Sequence, residues 1–229
     1  MIEIAAIIGE NQDIEKYEKT IEELKAAVDK NYLDKETGDY CGNEKGSNAF
    51  ALNVGLGDER TLNNLVKRYA EYNGFDTGIF GTKYLPKVLF ERGYDDVATA
   101  LYTSNNEFSY KAWKDAGETT MLEAWKGARS HNHPMFGSSV LWMFEYMLGI
   151  RQKKGSAAFS DIVINPHEIK TLTEISGGIK TVKGEISVSY KKTADGVDFA
   201  VKVPSKAEFV YKGYKATLNA GENKFTVKE

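Results

Sequence analysis

The hydrophobic period of this chain changes once, near residue 150, and that single change limits the folds open to it. Before it, apolar side chains recur at three- and four-residue steps: Ile14, Tyr17, Ile21, Leu24 and Val28, then Leu62, Leu65, Val66 and Tyr69, then Tyr84, Leu85, Val88 and Leu89. Each set gives a helix one apolar face, with charged residues on the other. From Val140 to Met147 the run is apolar almost all round, as in a buried helix. Thr37-Gly38-Asp39, Gly55-Leu56-Gly57-Asp58, Asn73-Gly74, Arg92-Gly93 and Gly149 fall between the sets, where tolerance of positive φ ends helices. The pattern predicts helical hairpins with short turns. Beyond Gln152 the period is two, in Ile162-Val163-Ile164 and over 185–190 and 197–203, with Gly177-Gly178, Lys183-Gly184, Asp195-Gly196 and Lys212-Gly213 as hairpin signals. This predicts a helical domain over 1–151 and an antiparallel β-sandwich over 152–229, with Gln152-Lys153-Lys154-Gly155-Ser156 as the boundary.

Composition removes several function classes. With 41% apolar and 28% charged residues the chain is globular rather than disordered. Thirty basic against thirty-three acidic side chains leave no excess to neutralise a phosphate backbone, so nucleic acid is not the expected partner. The lone Cys41 cannot form an internal disulfide. No apolar run approaches the roughly 18 residues that span a bilayer, so no membrane partner is expected. The helical period begins at residue 2 without a signal-type segment, which reads as a cut through a longer chain and leaves the compartment unread.

Residues 73–139 are unlike the rest: rich in Gly, Thr and aromatics, with little periodicity over 104–130. A loop this long inside a domain is more often functional than not. It holds Trp113, Glu118, Glu123, Trp125, Arg129, His131, Asn132 and His133. Glu123 follows apolar residues and precedes Trp125 by two positions. A carboxylate in apolar surroundings suits proton transfer, and a nearby Trp face suits a sugar ring. The plainer alternative makes Glu123 a surface residue at a helix start and Trp125 a core residue. His131 and His133 have zinc-type spacing, but no Cys, and no His except distant His167, completes a ligand set. A nuclease reading of His131-Asn132-His133 lacks its ββα context. A polar pocket pair or a turn before Pro134 remains. Gly78 and Gly81 lack the Lys-Ser or Lys-Thr of a phosphate loop and are assigned to helix-end geometry. No metal and no cofactor is expected.

Read as ordered words, the chain resembles the C-terminal half of bacterial α-L-rhamnosidases, glycoside hydrolase family 78. Ser47-Asn48-Ala49-Phe50-Ala51-Leu52 resembles the family's QTA-type helix start. Thr77-Gly78-Ile79-Phe80-Gly81-Thr82-Lys83-Tyr84-Leu85 is similar to its TG-(I/F)-x-GT-x-YL block. Gly117-Glu118-Thr119-Thr120-Met121-Leu122-Glu123-Ala124-Trp125 resembles GATT-x-WE-x-W, and Ser130-His131-Asn132-His133-Pro134-Met135-Phe136-Gly137 resembles S-x-NH-x-x-FG. The resemblance implies a partial (α/α)6 barrel followed by a β-sandwich, and inverting hydrolysis of terminal α-L-rhamnosides in a rhamnose-containing glycan or glycoside. It implies Glu123 as general base, His133 on sugar hydroxyls with Asn132 beside it, and Trp125 and Trp113 lining or supporting the pocket. It also implies that the general acid lies upstream of this chain, which has room for about half of six hairpins.

The departures are Glu118 for Ala, Leu122 for Trp, Lys126 where an acid often stands, and Phe108-Ser109-Tyr110 in place of a Pro-Ser-Trp-like word. They keep two further readings open: a degenerate carbohydrate-binding relative, and a glycosidase for another sugar. An open half-barrel further predicts exposed apolar helix faces and self-association.

Overall fold

The structure, a computed structural model, describes residues 1–228. Eight helices come first: α1 (Ile2–Ile8), α2 (Asn11–Tyr32), α3 (Ser47–Asn53), α4 (Glu59–Tyr72), α5 (Ile79–Glu91), α6 (Asp95–Thr103), α7 (Tyr110–Asp115) and α8 (Val140–Trp142). A 3₁₀ turn, Pro134–Ser139, leads into α8, which continues as a π-helical turn over Met143–Met147. That last run is less buried than its composition predicts. Trp142, Tyr146 and Met147 face the core, but Leu141 is 53% exposed.

Local chemistry sets the helix ends. Asp58 caps α4 by accepting the backbone N–H groups of Arg60 and Thr61, and the Thr61 hydroxyl takes the Asp58 N–H in return, a capping box. Asn73 closes α4 in the left-handed region. The loop before α3 is held by the fully buried Asn48. Its Oδ1 accepts the Tyr40 N–H at 2.8 Å, and its Nδ2 donates to Asp39 Oδ1 at 2.7 Å and to the Thr61 carbonyl at 3.3 Å. The Tyr40 hydroxyl donates to Asp29 Oδ1 at 2.6 Å and accepts the Gly57 N–H at 3.0 Å. Leu65, Tyr69, Phe75, Leu85, Leu89 and Leu101 form the centre of the helical core, each fully enclosed. α2 differs, because none of its 22 residues is fully buried and Ile21 and Leu24 face outward.

Eight strands follow: β1 (Ile150–Gln152), β2 (Ile162–Ile164), β3 (Glu174–Thr181), β4 (Gly184–Thr193), β5 (Gly196–Val203), β6 (Ala207–Tyr211), β7 (Tyr214–Leu218) and β8 (Gly221–Lys228). They form two four-stranded sheets, β1-β2-β6-β7 and β3-β4-β5-β8. Every pairing is antiparallel except β2 with β6, which is parallel with Ile162 opposite Ala207. Ile164 and Phe209 from one sheet meet Val188, Phe199 and Val201 from the other in one apolar core, so the alternation seen in sequence is the inside and outside of a sandwich.

Gly177 and Gly178 do not make a hairpin turn. They lie inside β3, where a Cβ on Gly177 would stand 2.7 Å from Leu148 Cδ1 and one on Gly178 would stand 2.6 Å from the Ile186 carbonyl oxygen. Close approach, not turning, requires glycine there.

The two parts are joined by more than chain. Gly149, at φ 70°, turns the backbone so tightly that a Cβ would lie 2.0 Å from Pro166 N. Ile169, from the sandwich side, is buried in the helical core. His167 Nδ1 is 2.6 Å from Asp95 Oδ1, and Arg151 Nη2 is 3.1 Å from His167 Nε2. Arg151 also donates to the Glu145 carbonyl at 2.9 Å and stands over the Tyr146 ring at 4.8 Å. Asp96 Oδ1 receives both the N–H and the hydroxyl of Thr171, at 2.8 and 2.7 Å.

Candidate active site

Residues 116–133 run between α7 and the 3₁₀ turn as two arms lying side by side, outside regular structure. The Glu123 N–H donates to the Ser130 carbonyl at 3.2 Å, and the His133 N–H donates to the Met121 carbonyl at 2.7 Å. Glu123 therefore sits on an arm of a loop and not at a helix start. Its side chain folds over the turn between the arms, where Oε1 accepts the Arg129 N–H at 2.7 Å. Oε2 has no hydrogen-bond partner among the described residues, and the side chain is half-buried.

Asn132 and His133 lie on the opposite arm, the first exposed and the second half-buried. Their backbones are engaged, Asn132 N–H with Ser130 Oγ at 3.4 Å and His133 N–H as above. Among the described residues neither side chain has a hydrogen-bond partner. Glu123 Oε2, the Asn132 amide and the His133 imidazole are thus left unengaged among the described residues.

Trp125 and Trp113 are packed differently. Trp125 stacks on Phe75 at 5.2 Å and 10°, lies 4.5 Å from Trp113 and 4.8 Å from Phe136, and donates its Nε1–H to the Thr77 carbonyl at 2.8 Å. Trp113 is buried in the same cluster, and its Nε1 has no partner among the described residues. With Phe75, Trp113 and Phe136 packed around it, Trp125 is suited to supporting the arms from below.

Several supporting residues carry no sequence signal of their own. Thr77 is placed by its neighbour Asp76, whose carboxylate receives Arg68 Nη2 at 2.6 Å and the Tyr69 hydroxyl. Burial pushes the Tyr69 phenol upward first, and its bond to Asp76 adds to that. Gly81 serves this contact and is not a helix end. It lies inside α5, where a Cβ would stand 2.8 Å from Thr77 Cβ. Gly78 does stand at the helix end, as the N-cap of α5. The Tyr110 hydroxyl donates to the Phe136 carbonyl at 2.5 Å and therefore accepts the Ser139 hydroxyl at 2.6 Å. Asp76 and Gly81 find these partners within eight residues, whereas Thr77 receives Trp125 from 48 residues away.

Three of the departures, Leu122, Lys126 and Glu118, have local partners. Leu122 is buried against Trp113 and Phe136. Lys126 Nζ lies 2.5 Å from Glu107 Oε1 and 5.0 Å from the centre of the Phe108 ring. Glu118 Oε2 lies 2.9 Å from His131 Nδ1. His131 is thus engaged with Glu118, a contact the His133 ring does not share. No cluster of three or more His, Cys, Asp or Glu side chains able to hold a metal occurs among the described residues.

Comparison with known proteins agrees along the whole chain. Residues 1–147 match the bacterial α-L-rhamnosidase 6 hairpin glycosidase domain, and residues 149–216 match the bacterial α-L-rhamnosidase C-terminal domain. An α-L-rhamnosidase from Alteromonas sp. (strain LOR) is 29% identical over 222 residues, covering 89% of this chain; the chain spans only 24% of that relative's length. The solved α-L-rhamnosidase from Dictyoglumus thermophilum superposes with a TM-score of 0.80 at 24% identity, over 100% of this chain and 30% of its own. The Streptomyces avermitilis α-L-rhamnosidase, solved in complex with L-rhamnose, superposes with a TM-score of 0.81 at 23% identity, over 99% of this chain and 25% of its own. At these identities the superpositions establish the shared fold.

Proposed function

The chain belongs to the bacterial α-L-rhamnosidase family of six-hairpin glycosidases, and from that premise we propose that its site takes a terminal L-rhamnosyl unit, with Glu123 as the general base of inverting hydrolysis. One observation carries this reading: Glu123 is anchored through one carboxylate oxygen and keeps the other unengaged. An inverting base must draw a proton from a water on the face of the sugar opposite the leaving group. A carboxylate fixed at Oε1 presents Oε2 for that transfer without having to break a contact first. His133 and Asn132 would bind sugar hydroxyls, and Trp113 and Trp125 would support the arms. Leu122, Lys126 and Glu118 make contacts that leave Oε2 untouched, which favours a working site over a degenerate one.

Inversion also needs an acid to protonate the leaving oxygen. We assign that role to a residue outside this chain, which spans a quarter of its curated relative. The isolated chain should then turn over little substrate but retain sugar contact. The test is saturation-transfer NMR with L-rhamnose, with D-mannose and L-fucose as controls. Millimolar binding, about -4 kcal/mol, is within its reach. Selective contact with L-rhamnose, lost in Glu123→Gln and His133→Ala, is the expected result. Equal contact with all three sugars, unchanged in both variants, would overturn the assignment.

The seam of α2, with Ile21 and Leu24 exposed and Ile14 and Tyr17 half-buried, gives the self-association reading a specific form. Ile14, Tyr17, Ile21 and Leu24 alternate at three- and four-residue steps, as the contact line of a coiled coil does. An antiparallel pairing that sets Ile21 against the partner's Leu24 also brings Glu18 near the partner's Lys25, twice by symmetry. A second copy of this chain is the occupant this pattern fits.

A further inference from the structure

The two arms of the loop are out of step by one residue. Glu123 N–H meets the Ser130 carbonyl and His133 N–H meets the Met121 carbonyl. Between those bonds one arm has a single residue, Leu122, and the other has two, His131 and Asn132. Two residues against one is the count of a β-bulge, a device that breaks pairing and re-aims a side chain. Bulged residues lose ladder partners, so side-chain contacts must fix their conformation. Here His131 supplies two. Its carbonyl accepts the Thr120 hydroxyl, and its Nδ1 meets Glu118 Oε2 at 2.9 Å. An ionised carboxylate only accepts, so Nδ1 carries the hydrogen.

We propose that Glu118 is a positioning residue: by holding the His131 ring it locks the bulge and thereby sets where Asn132 and His133 stand relative to Glu123. This rests on the reading of the site given above. One feature separates it from an ordinary surface ion pair: it ties the start of one arm to the bulge of the other, across a loop held otherwise by few bonds. In exposure it is like any surface pair, with the His131 side chain 60% exposed, and such pairs add little to global stability. Its effect should therefore be local order, not melting temperature.

Amide hydrogen exchange on the whole chain without sugar tests this. In Glu118→Ala, exchange at the Glu123 and His133 amides should rise roughly fivefold, with the amides of β4 and β5 and the urea midpoint unchanged. His131→Ala should do the same, and Glu118→Gln, which still offers an acceptor, should restore protection. Unchanged exchange at both amides in Glu118→Ala, or an equal rise across the sandwich, would overturn the proposal. L-rhamnose contact is then measured on the same variants, and Glu118→Ala should weaken it while Glu118→Gln retains it. If the wild-type chain shows no contact, the reading that this chain alone retains sugar contact fails, and the exchange result still decides the clamp.

Discussion

His167 Nδ1 lies 2.6 Å from Asp95 Oδ1 while Arg151 Nη2 approaches the other ring nitrogen at 3.1 Å. A guanidinium can only donate, so Nε2 must accept and the ring hydrogen must sit on Nδ1, pointing at Asp95. One neutral imidazole thus joins α6 to the start of the sandwich. Asp95→Ala would leave that Nδ1–H without an acceptor in a part-buried site. The expected loss is about 1–3 kcal/mol, read as a lower urea midpoint. An unchanged midpoint would mean the contact is not formed in solution.

Asn48 is the second structural test. It is fully buried and serves three partners, among them the Tyr40 backbone N–H. Asn48→Ala removes the acceptor and leaves a buried donor unpaired, which costs on the order of 1–3 kcal/mol. Exchange of the Tyr40 amide should rise together with the fall in stability. Protection surviving in Asn48→Ala would show that another group takes over.

Alkaline stability follows from the phenols. Burial first, then the bond to Asp29, pushes Tyr40 up to about 12. Burial also raises Tyr69, Tyr102, Tyr110, Tyr146 and Tyr190. In the unfolded chain each returns to about 10. Above that value the unfolded chain releases protons that the folded one keeps, so stability is complete below pH 10 and falls as pH rises through 12. Tyrosinate absorbance should therefore rise in two stages, the second coincident with loss of structure. A single stage near pH 10 without unfolding would contradict this environment.

Self-association is tested at the exposed seam. Leu24→Lys should shift the chain toward monomer by light scattering across a wide concentration range, with the far-UV spectrum unchanged. A wild-type chain that is monomeric throughout that range would remove the reading.

The sequence made the long elements legible and the short ones opaque. α2, α4 and α5 each repeat their apolar face over several turns, and β4 and β5 alternate long enough to declare themselves. α7 has six residues and one buried side chain, Trp113, too few for any period to emerge. Gly177 and Gly178 mimic a turn because composition alone cannot tell tight turning from close packing. At the site, Glu123 and His133 stand in recognisable words. What holds them does not: Trp125 finds Thr77 from 48 residues away, and Tyr110 finds Ser139 from 29 residues away. Such pairings are products of tertiary packing, and no local pattern encodes them.

The stacking of Trp125 between its aromatic neighbours has an optical consequence. All three tryptophans, Trp113, Trp125 and Trp142, precede β1, and two of them touch at 4.5 Å beneath the arms that carry Glu123 and His133. Tryptophan emission therefore has no reporter in the sandwich and is weighted toward the loop itself. The chain carries its own fluorophore beneath the arms of Glu123 and His133, so a titration needs no label to see whether those arms move.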